Sequence, residues 1–545
     1  MQIELLSKKN FLTFILFLSI LLCGIFSFKD YGISLDEKWH RDNGLFYYEY
    51  VKNFFVGPNS PATNSAEKVI NESVKSGGAI VGVPSLQPVI FDLISEFFIE
   101  KLNIKSSKDI YQFRHLLNFI FYFIGLYFFY KLISRRYKSY IYPLIGVLFL
   151  FLSPRFFAES FYNQKDIFFL SLTIINMYTG IIFIKNPNFK STLVFALSSA
   201  LAFDTRIMGV ISIFIILSIF FLKSLRNTEL LKRNLKFIIY FLTITFFLII
   251  LFWPYIWADP INNLFFAFSK LLSGKFSMTS LYLGEFILSK NAPWHYPIVW
   301  IGITSPVIII CFFLFGLFFL IRRIFSRLNA VNNKFDDLWR GENEMIDIYS
   351  LLMVLLPIFL FINKGVAYDG WRLLYFIYPS IIMIAIFGIY YLNLYLKSNL
   401  FKFTIYLAII LNLTYLGFWN HKFHPHQYVY FNFLFKDKFN NNFEKDYWGL
   451  SNSKSLNYII NNNTQYPINI ATKSFSSLEY SLLILDDKDK NKISIIYDFP
   501  EAEFIITNYR IRHKKNFLID KTKYKKYYEI TVDDVPINTV YRKIK

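Results

Sequence analysis

Cysteine is nearly missing: Cys23 and Cys311 are the only two among 545 residues, and each sits inside an apolar run. Neither a disulfide framework nor a thiolate metal site is implied. Acidic residues are also scarce beside basic ones, 38 Asp and Glu against 58 Lys and Arg, for a formal net charge of +20. In a soluble chain that surplus would raise the question of nucleic acid, because clustered cations neutralise phosphates. Here the cations fall between apolar segments, so membrane topology accounts for them and no nucleic-acid partner is expected. A glycine-rich phosphate loop, a Walker sequence and a dinucleotide fingerprint are all missing, which leaves nucleotide-driven transport without support. There is no internal repeat, and the only low-complexity tract is Asn461-Asn462-Asn463.

What abounds is apolar and aromatic: 54% of residues are hydrophobic, and Phe (65) and Tyr (38) make up most of the 21% aromatic share. A soluble fold cannot hide that much apolar surface. The segment 11–28 follows Lys8 and Lys9 as a leader would, but no small-residue cleavage site follows it, so it reads as a first spanning helix. A span takes about 20 apolar residues, and on that ruler about eleven fit. They are expected near 11–28, 112–131, 140–153, 167–184, 191–203, 207–222, 237–254, 297–320, 346–362, 373–394 and 403–419.

Lys and Arg mark every second loop: Lys8 and Lys9; Lys131, Arg135, Arg136 and Lys138; Lys185 and Lys190; Lys223, Arg226, Lys232, Arg233 and Lys236; Arg322, Arg323 and Arg327; Lys397 and Lys402. These loops are expected in the cytoplasm. The stretch 191–222 is read as two short spans broken at Asp204-Thr205-Arg206, because a single span would put the loop 223–236 outside, against the charge rule. The fold expected is therefore an all-α polytopic membrane bundle over residues 1–420, in the plasma (inner) membrane with the amino terminus cytoplasmic. Residues 421–545 turn polar and predict a small soluble α/β domain outside, with helices at 453–460 and 476–485. Strands are expected at 468–471, 493–497 and 503–508, with a hairpin of 527–531 and 539–542 turning at Asp533-Asp534-Val535-Pro536.

Nearly all the polar sequence of interest falls in the other set of loops. Ser34-Leu35-Asp36-Glu37-Lys38-Trp39-His40 follows the first span, and two adjacent carboxylates at a membrane surface suit general-base work, because crowding or burial raises a carboxyl pKa toward the working pH. A solvated loop with ordinary charges is the plain alternative. Between two spans, Ser153-Pro154-Arg155 to Lys165-Asp166 places Arg155, Lys165 and Asp166 where they bind a phosphate or sugar hydroxyls, or else anchor the interface. Asp204 and Arg206 form either a site or an ion pair between helices. Arg114-His115 and Asp369-Gly370-Trp371-Arg372 open spans in the same way, and an Arg fork suits phosphate. The loop 253–296 is aromatic at both ends, fit for an interfacial belt or for stacking a sugar. His295 within it is a weaker candidate, and His424-Pro425-His426 has no partner at metal-ligand spacing.

These residues together resemble the GT-C superfamily of glycosyltransferases, in the branch of the dolichyl-phosphate-mannose protein mannosyltransferases and lipid A aminoarabinose transferases. The resemblance rests on Asp36-Glu37, on the loop from Ser153-Pro154-Arg155 through Lys165-Asp166, on Asp204-Thr205-Arg206, and on Arg372-Leu373-Leu374-Tyr375-Phe376-Ile377-Tyr378-Pro379; it covers most of residues 10–395. It implies a GT-C-like bundle and an inverting transfer from a polyprenyl-phosphate sugar to a lipid, glycan or protein acceptor outside the membrane. In those terms Asp36 is the base, Glu37 its neighbour, Asp166 a second external-loop acid, and Arg206 and Arg372 stand where the family has cations; with Arg114, His115, Arg155, Lys165, Asp204 and His295, singled out above by residue type and position, Asp166, Arg206 and Arg372 make up the expected substrate-binding set. Membrane lipids are the remaining partners; no cofactor is expected, with a divalent metal left open. The sequence departs from the family where Leu373 and Leu374 precede Tyr375 and where Asp204-Thr205 precedes the cation. A transporter or flippase also uses broken helices and buried charges, and a polymerase or ligase of lipid-diphosphate oligosaccharides shares the compartment; the long acidic first loop and the lack of a repeat favour the transferase.

Overall fold

The computed structural model of the chain describes residues 2–57, 61–75, 87–225, 228–272, 278–329, 341–364, 368–510 and 519–544. Within them eight helices are long and apolar enough to cross a membrane, or nine if the bent pair Ile141–Leu152 and Pro154–Tyr162 is one span. The protein is thus an integral, multi-pass membrane protein. Each of the eleven expected spans falls on helix. Three of those helices, Ile141–Leu152, Phe189–Thr205 and Gly209–Ser224, are short, at 12, 17 and 16 residues.

Helix starts and breaks follow local chemistry. Asn188 caps Phe189–Thr205 by accepting from the Ser191 amide at 3.0 Å. The helices Ile141–Leu152 and Pro154–Tyr162 meet at 66° across Ser153, where Pro154 is preset for a helix start. The expected span 297–320 is not continuous: it breaks into Tyr296–Thr304 and Val307–Asn329, because Pro306 brings no amide hydrogen to continue the ladder. Asn432 serves the carbonyls freed there. Its side chain donates to Gly302 O at 2.7 Å and Ser305 O at 3.0 Å, and its amide donates to Ile303 O at 2.9 Å.

Two close approaches hold the bundle together. Gly316 and Gly388 let helices Val307–Asn329 and Tyr378–Tyr395 touch backbone to backbone, since a Cβ on Gly316 would lie 2.0 Å from Ile384 O. At the end of the bundle marked by expected cytoplasmic loops, Arg136 makes a two-pronged bond to Asp347 at 2.7 and 2.8 Å. Arg323 adds Asp347 at 3.2 Å and Glu344 at 2.5 Å, and Arg135 and Lys185 both reach Glu342. The loops that the charge pattern put on one side therefore do meet.

Two regions differ from a simple loop reading. The stretch after the first span is helix Leu35–Val56, followed by Pro61–Lys75 and Ile90–Lys101. The loop 253–296 holds helix Pro260–Leu272 and a hairpin of β1 (Thr279–Tyr282) with β2 (Glu285–Leu288).

Beyond helix Asn399–Lys422 the chain first packs back on the bundle, with Tyr428, Val429, Tyr430 and Phe431 buried in its core. Helix Ser451–Asn461 follows, and its first turn is held by Asp446, which accepts from the Gly449, Leu450 and Ser451 amides. Next come β3 (Ile468–Thr472), β4 (Ile493–Ile495), β5 (Phe504–Thr507), β6 (Tyr524–Val532) and β7 (Val535–Lys543) in the order β4-β3-β5-β7-β6. The β3 pairings are parallel and the rest antiparallel. Asp533 and Asp534, both at positive φ, make the two-residue turn whose twist suits a hairpin. The helix expected at 476–485 is only Leu478–Leu482.

Candidate functional site

Asp36 and Glu37, in the first turn of helix Leu35–Val56, divide their work. Glu37 is 1% exposed: one oxygen accepts the Ser34 amide at 2.6 Å, as in a capping box, and the other lies 2.9 Å from His115 Nε2. Both Glu37 and His115 are thereby spent on joining helix Leu35–Val56 to helix Ser107–Arg136. Asp36 keeps a side chain 36% exposed, and its Oδ2 accepts from Arg372 Nη1 at 2.8 Å.

From Arg372 a network of charges spreads across five segments of the chain. Its Nη2 donates to Asp369 Oδ2 at 3.0 Å, and Nη1 lies 3.6 Å from Asp166 Oδ2. Trp448 and Tyr368 lie against the guanidinium. Asp166 binds Arg206 through its other oxygen and takes a bond from Asn163 at 3.0 Å. Asn163 also donates to Glu159 at 2.6 Å, and Glu159 accepts from Tyr375 at 2.8 Å and Tyr447 at 3.2 Å. Asp369 Oδ1 accepts from Arg510 at 2.6 Å. Asp36, Asp166, Arg206 and Arg372 of the expected set therefore share one place, each at a helix boundary on one end of the bundle.

Lys165 stands beside them and bonds Gln87. With His40, Asp92, Gln164 and Thr205 it lines a cleft. Burial, then the nearby Arg206, pushes its amine down to about 7, so that it changes charge near neutrality. Burial tends to raise the Asp36 carboxyl, but Arg372, His40 and Arg510 outweigh it and hold Asp36 below the ordinary carboxylate range. His40 is held well below the usual histidine value by burial and then by Lys165, which keeps it neutral.

The other expected residues lie apart from this network. Arg114 is enclosed and bonded through its two terminal nitrogens to Asp92 (2.5 Å), Ser95 (2.5 Å), Gln164 (2.7 Å) and Glu96 (3.3 Å), a brace between helices. Burial raises the Asp92 carboxyl and outweighs the opposing pull of Arg114. Arg155 lies between Trp300 and Phe431 with its Nε on Tyr430 O at 3.1 Å, a place in the core and not on the cleft. His295 faces Tyr282 of the hairpin at 2.6 Å. Asp204 is fully buried, with no hydrogen-bond partner for either oxygen among the described residues. The ion pair considered between Asp204 and Arg206 does not form: the helix ends at Thr205, Arg206 turns extended, and its guanidinium goes to Asp166.

Sequence reasoning did not single out Asp92, Asp369 by itself, or Arg510. Asp369 had a local signal, since Asp-Gly before a helix marks a turn, and both Asp369 and Gly370 are at positive φ. Arg510 had none. Among the described residues no group of three or more His, Cys, Asp or Glu side chains is arranged to hold a metal ion.

Residues 108–256 match the family model described as dolichyl-phosphate-mannose-protein mannosyltransferase. That stretch contains Asp166 and Arg206 of the network. No curated protein matches the chain. Among solved structures the chain is similar to a crystal structure of ArnT from Cupriavidus metallidurans in the apo state, at 9% identity and a TM-score of 0.43 over 100% of this chain and 98% of that one. A second, ArnT from the same organism bound to undecaprenyl phosphate, gives 10% identity and 0.43 over 97% and 98%. The family likeness is confined to 108–256, from helix Ser107–Arg136 to just past the end of helix Thr228–Phe252.

Proposed function

We propose that this chain transfers a sugar from a polyprenyl-phosphate donor to an acceptor hydroxyl at the extracytoplasmic face of the plasma (inner) membrane, with inversion and with Asp36 as general base. The observation that carries the reading is the Asp36–Arg372 pair, a part-open carboxylate beside cations at a helix-boundary end of a membrane bundle. A donor whose lipid stays in the bilayer brings its phosphate to that end. Arg372, Arg206 and Lys165 are the cations available to it.

In the transfer, the acceptor oxygen attacks the anomeric carbon and gives its proton to Asp36. The bond from that carbon to the phosphate oxygen breaks, and the electron pair leaves on the polyprenyl phosphate. Cations aimed at the departing oxygen lower the barrier, because the charge there grows as the bond breaks. Arg372 is paired with Asp36 before substrate arrives, so its turn toward phosphate releases the carboxylate to act as base.

Membranes containing the full chain are supplied with a panel of polyprenyl-phosphate sugars and scored for loss of lipid donor. Consumption of one donor with release of polyprenyl phosphate is the expected result. Movement of substrate across the bilayer without donor breakdown would overturn the reading in favour of transport.

A further inference from the structure

We propose that Arg510, supplied by the C-terminal sheet, is a positioning residue for the transfer: through Asp369 it decides which way the Arg372 fork faces and so sets the state of Asp36. The inference rests on the glycosyl-transfer reading for its purpose but not for its test.

The geometry is that of a competition. Arg372 has two carboxylate neighbours, Asp36 on Nη1 and Asp369 on Nη2. A guanidinium and a carboxylate prefer to bond by two parallel prongs, so Asp369 alone would draw both nitrogens. Arg510 prevents this by occupying Asp369 Oδ1 at 2.6 Å, leaving a single oxygen for Arg372 and freeing Nη1 for Asp36.

Arg510 is itself held in place. It follows β5, its other nitrogen donates to Tyr447 O, its Nη2 lies 3.2 Å from Met278 Sδ, and its guanidinium stacks over Phe475. The side chains of Arg510 and Asp369 are each 4% exposed, so water cannot replace the bond. Asp369 adopts φ +53, a conformation unfavourable to most side chains, and the two guanidiniums that grip it hold it there.

Charge points the same way. Asp36, Asp166 and Asp369 face Arg206, Arg372 and Arg510, three against three. The groups acting on Asp36 are Arg372, His40 and Arg510, with Lys165 nearby and Asp166 behind Arg372. Glu444 also interacts with Asp369 and Arg510, and burial pushes its carboxyl up against the opposing pull of Arg510. Without Arg510 the cluster gains a net negative charge and Asp369 pulls Nη1 off Asp36. Both changes make Asp36 easier to protonate.

The test reads Asp36 directly in the full-length protein. A water-soluble carbodiimide with glycine ethyl ester modifies protonated carboxyls, and peptide mass spectrometry follows labelling at Asp36 against pH. Arg510→Gln is expected to move the labelling midpoint up by roughly one pH unit. Asp369→Asn is expected to move it down, and the double variant to return it near its starting value. A midpoint unmoved in Arg510→Gln, or a shift that the double variant keeps, overturns the proposal. Should Arg510→Gln not fold, Asp369→Asn decides alone, and an unmoved or raised midpoint there overturns it too. Donor consumption is scored in parallel: no consumption by the unaltered chain with the expected shifts removes the glycosyl-transfer reading and leaves the role of Arg510 standing, whereas consumption with unmoved midpoints does the reverse.

Discussion

Arg372 and Asp36 are 336 positions apart in the chain and 2.8 Å apart in space. The pair joins the helix after the first span to the start of a late one. It also fixes the resting state of the site, because a carboxylate beside a guanidinium stays ionised but holds a proton weakly. Since the Asp36 value lies below that of the unfolded chain, the pair adds stability that is present above the ordinary carboxylate range and is lost as pH falls through the depressed value.

Asp36→Asn keeps the size of the side chain and an oxygen for Arg372 but cannot take the acceptor's proton. Donor turnover should fall about 10²- to 10⁴-fold while the protein still inserts. Glu37→Gln should leave more activity, since both Glu37 oxygens are committed to Ser34 and His115. Full turnover by the Asp36→Asn protein removes the base assignment.

Alanine at Arg206 or Arg372 takes a cation from the departing phosphate. Each should lower kcat/KM for the lipid donor by roughly 10- to 100-fold, as expected for a lost charge-assisted bond. Lysine at either position should recover part of that, because charge returns without the planar fork. Unchanged turnover in both alanine variants would show that the phosphate is held elsewhere.

Lys165 gives the donor a pH dependence of definite sign. Its amine, held down to about 7, is charged below that value and neutral above it. A bound phosphate raises the amine's value, so donor KM should be lowest in mild acid and climb as pH rises past 7. Arg keeps its charge throughout, and Lys165→Arg should flatten the profile between roughly pH 6 and 9. A profile unchanged by that substitution separates Lys165 from the phosphate.

Orientation is testable without any substrate. Reporters fused after Lys236 and after Lys545 should report opposite sides of the membrane, the first cytoplasmic and the second outside. Equal signals would overturn the charge-based map.

The spans were legible because each one needs an apolar run, and basic residues mark alternate ends. The helix Leu35–Val56 was not, since its sequence mixes Asp36, Glu37, Lys38, Arg41 and Asp42 with aromatics and reads as a polar loop. Its helicity depends on the Ser34–Glu37 cap and on packing against helix Ile90–Lys101. Asp36, Asp166, Arg206 and Arg372 were visible as charges at the ends of apolar helices, where ionisable groups are costly. Arg155 and Arg114 fitted the same rule, yet one lies among aromatic rings and the other is bound between Asp92, Glu96, Ser95 and Gln164; a sequence gives the price of a buried charge but not its partner. Asp204 and Arg206 looked paired because they are two residues apart, but the helix end between them sends the side chains apart. Arg510 left no local pattern, for its meaning comes only from a contact across 141 positions with Asp369.

Synthesis order gives that last contact a temporal meaning. Every helix of the bundle, with Asp36, Asp166, Arg206, Asp369 and Arg372 in place, leaves the ribosome before Arg510 is made. A nascent chain therefore passes through a stage in which three acids face two guanidiniums and Asp369 is free to hold Arg372 by both prongs. The Asp369–Arg510 bond can form only when β5 has folded, so the final sheet supplies the last charge of the cluster after the bundle that surrounds it has been made.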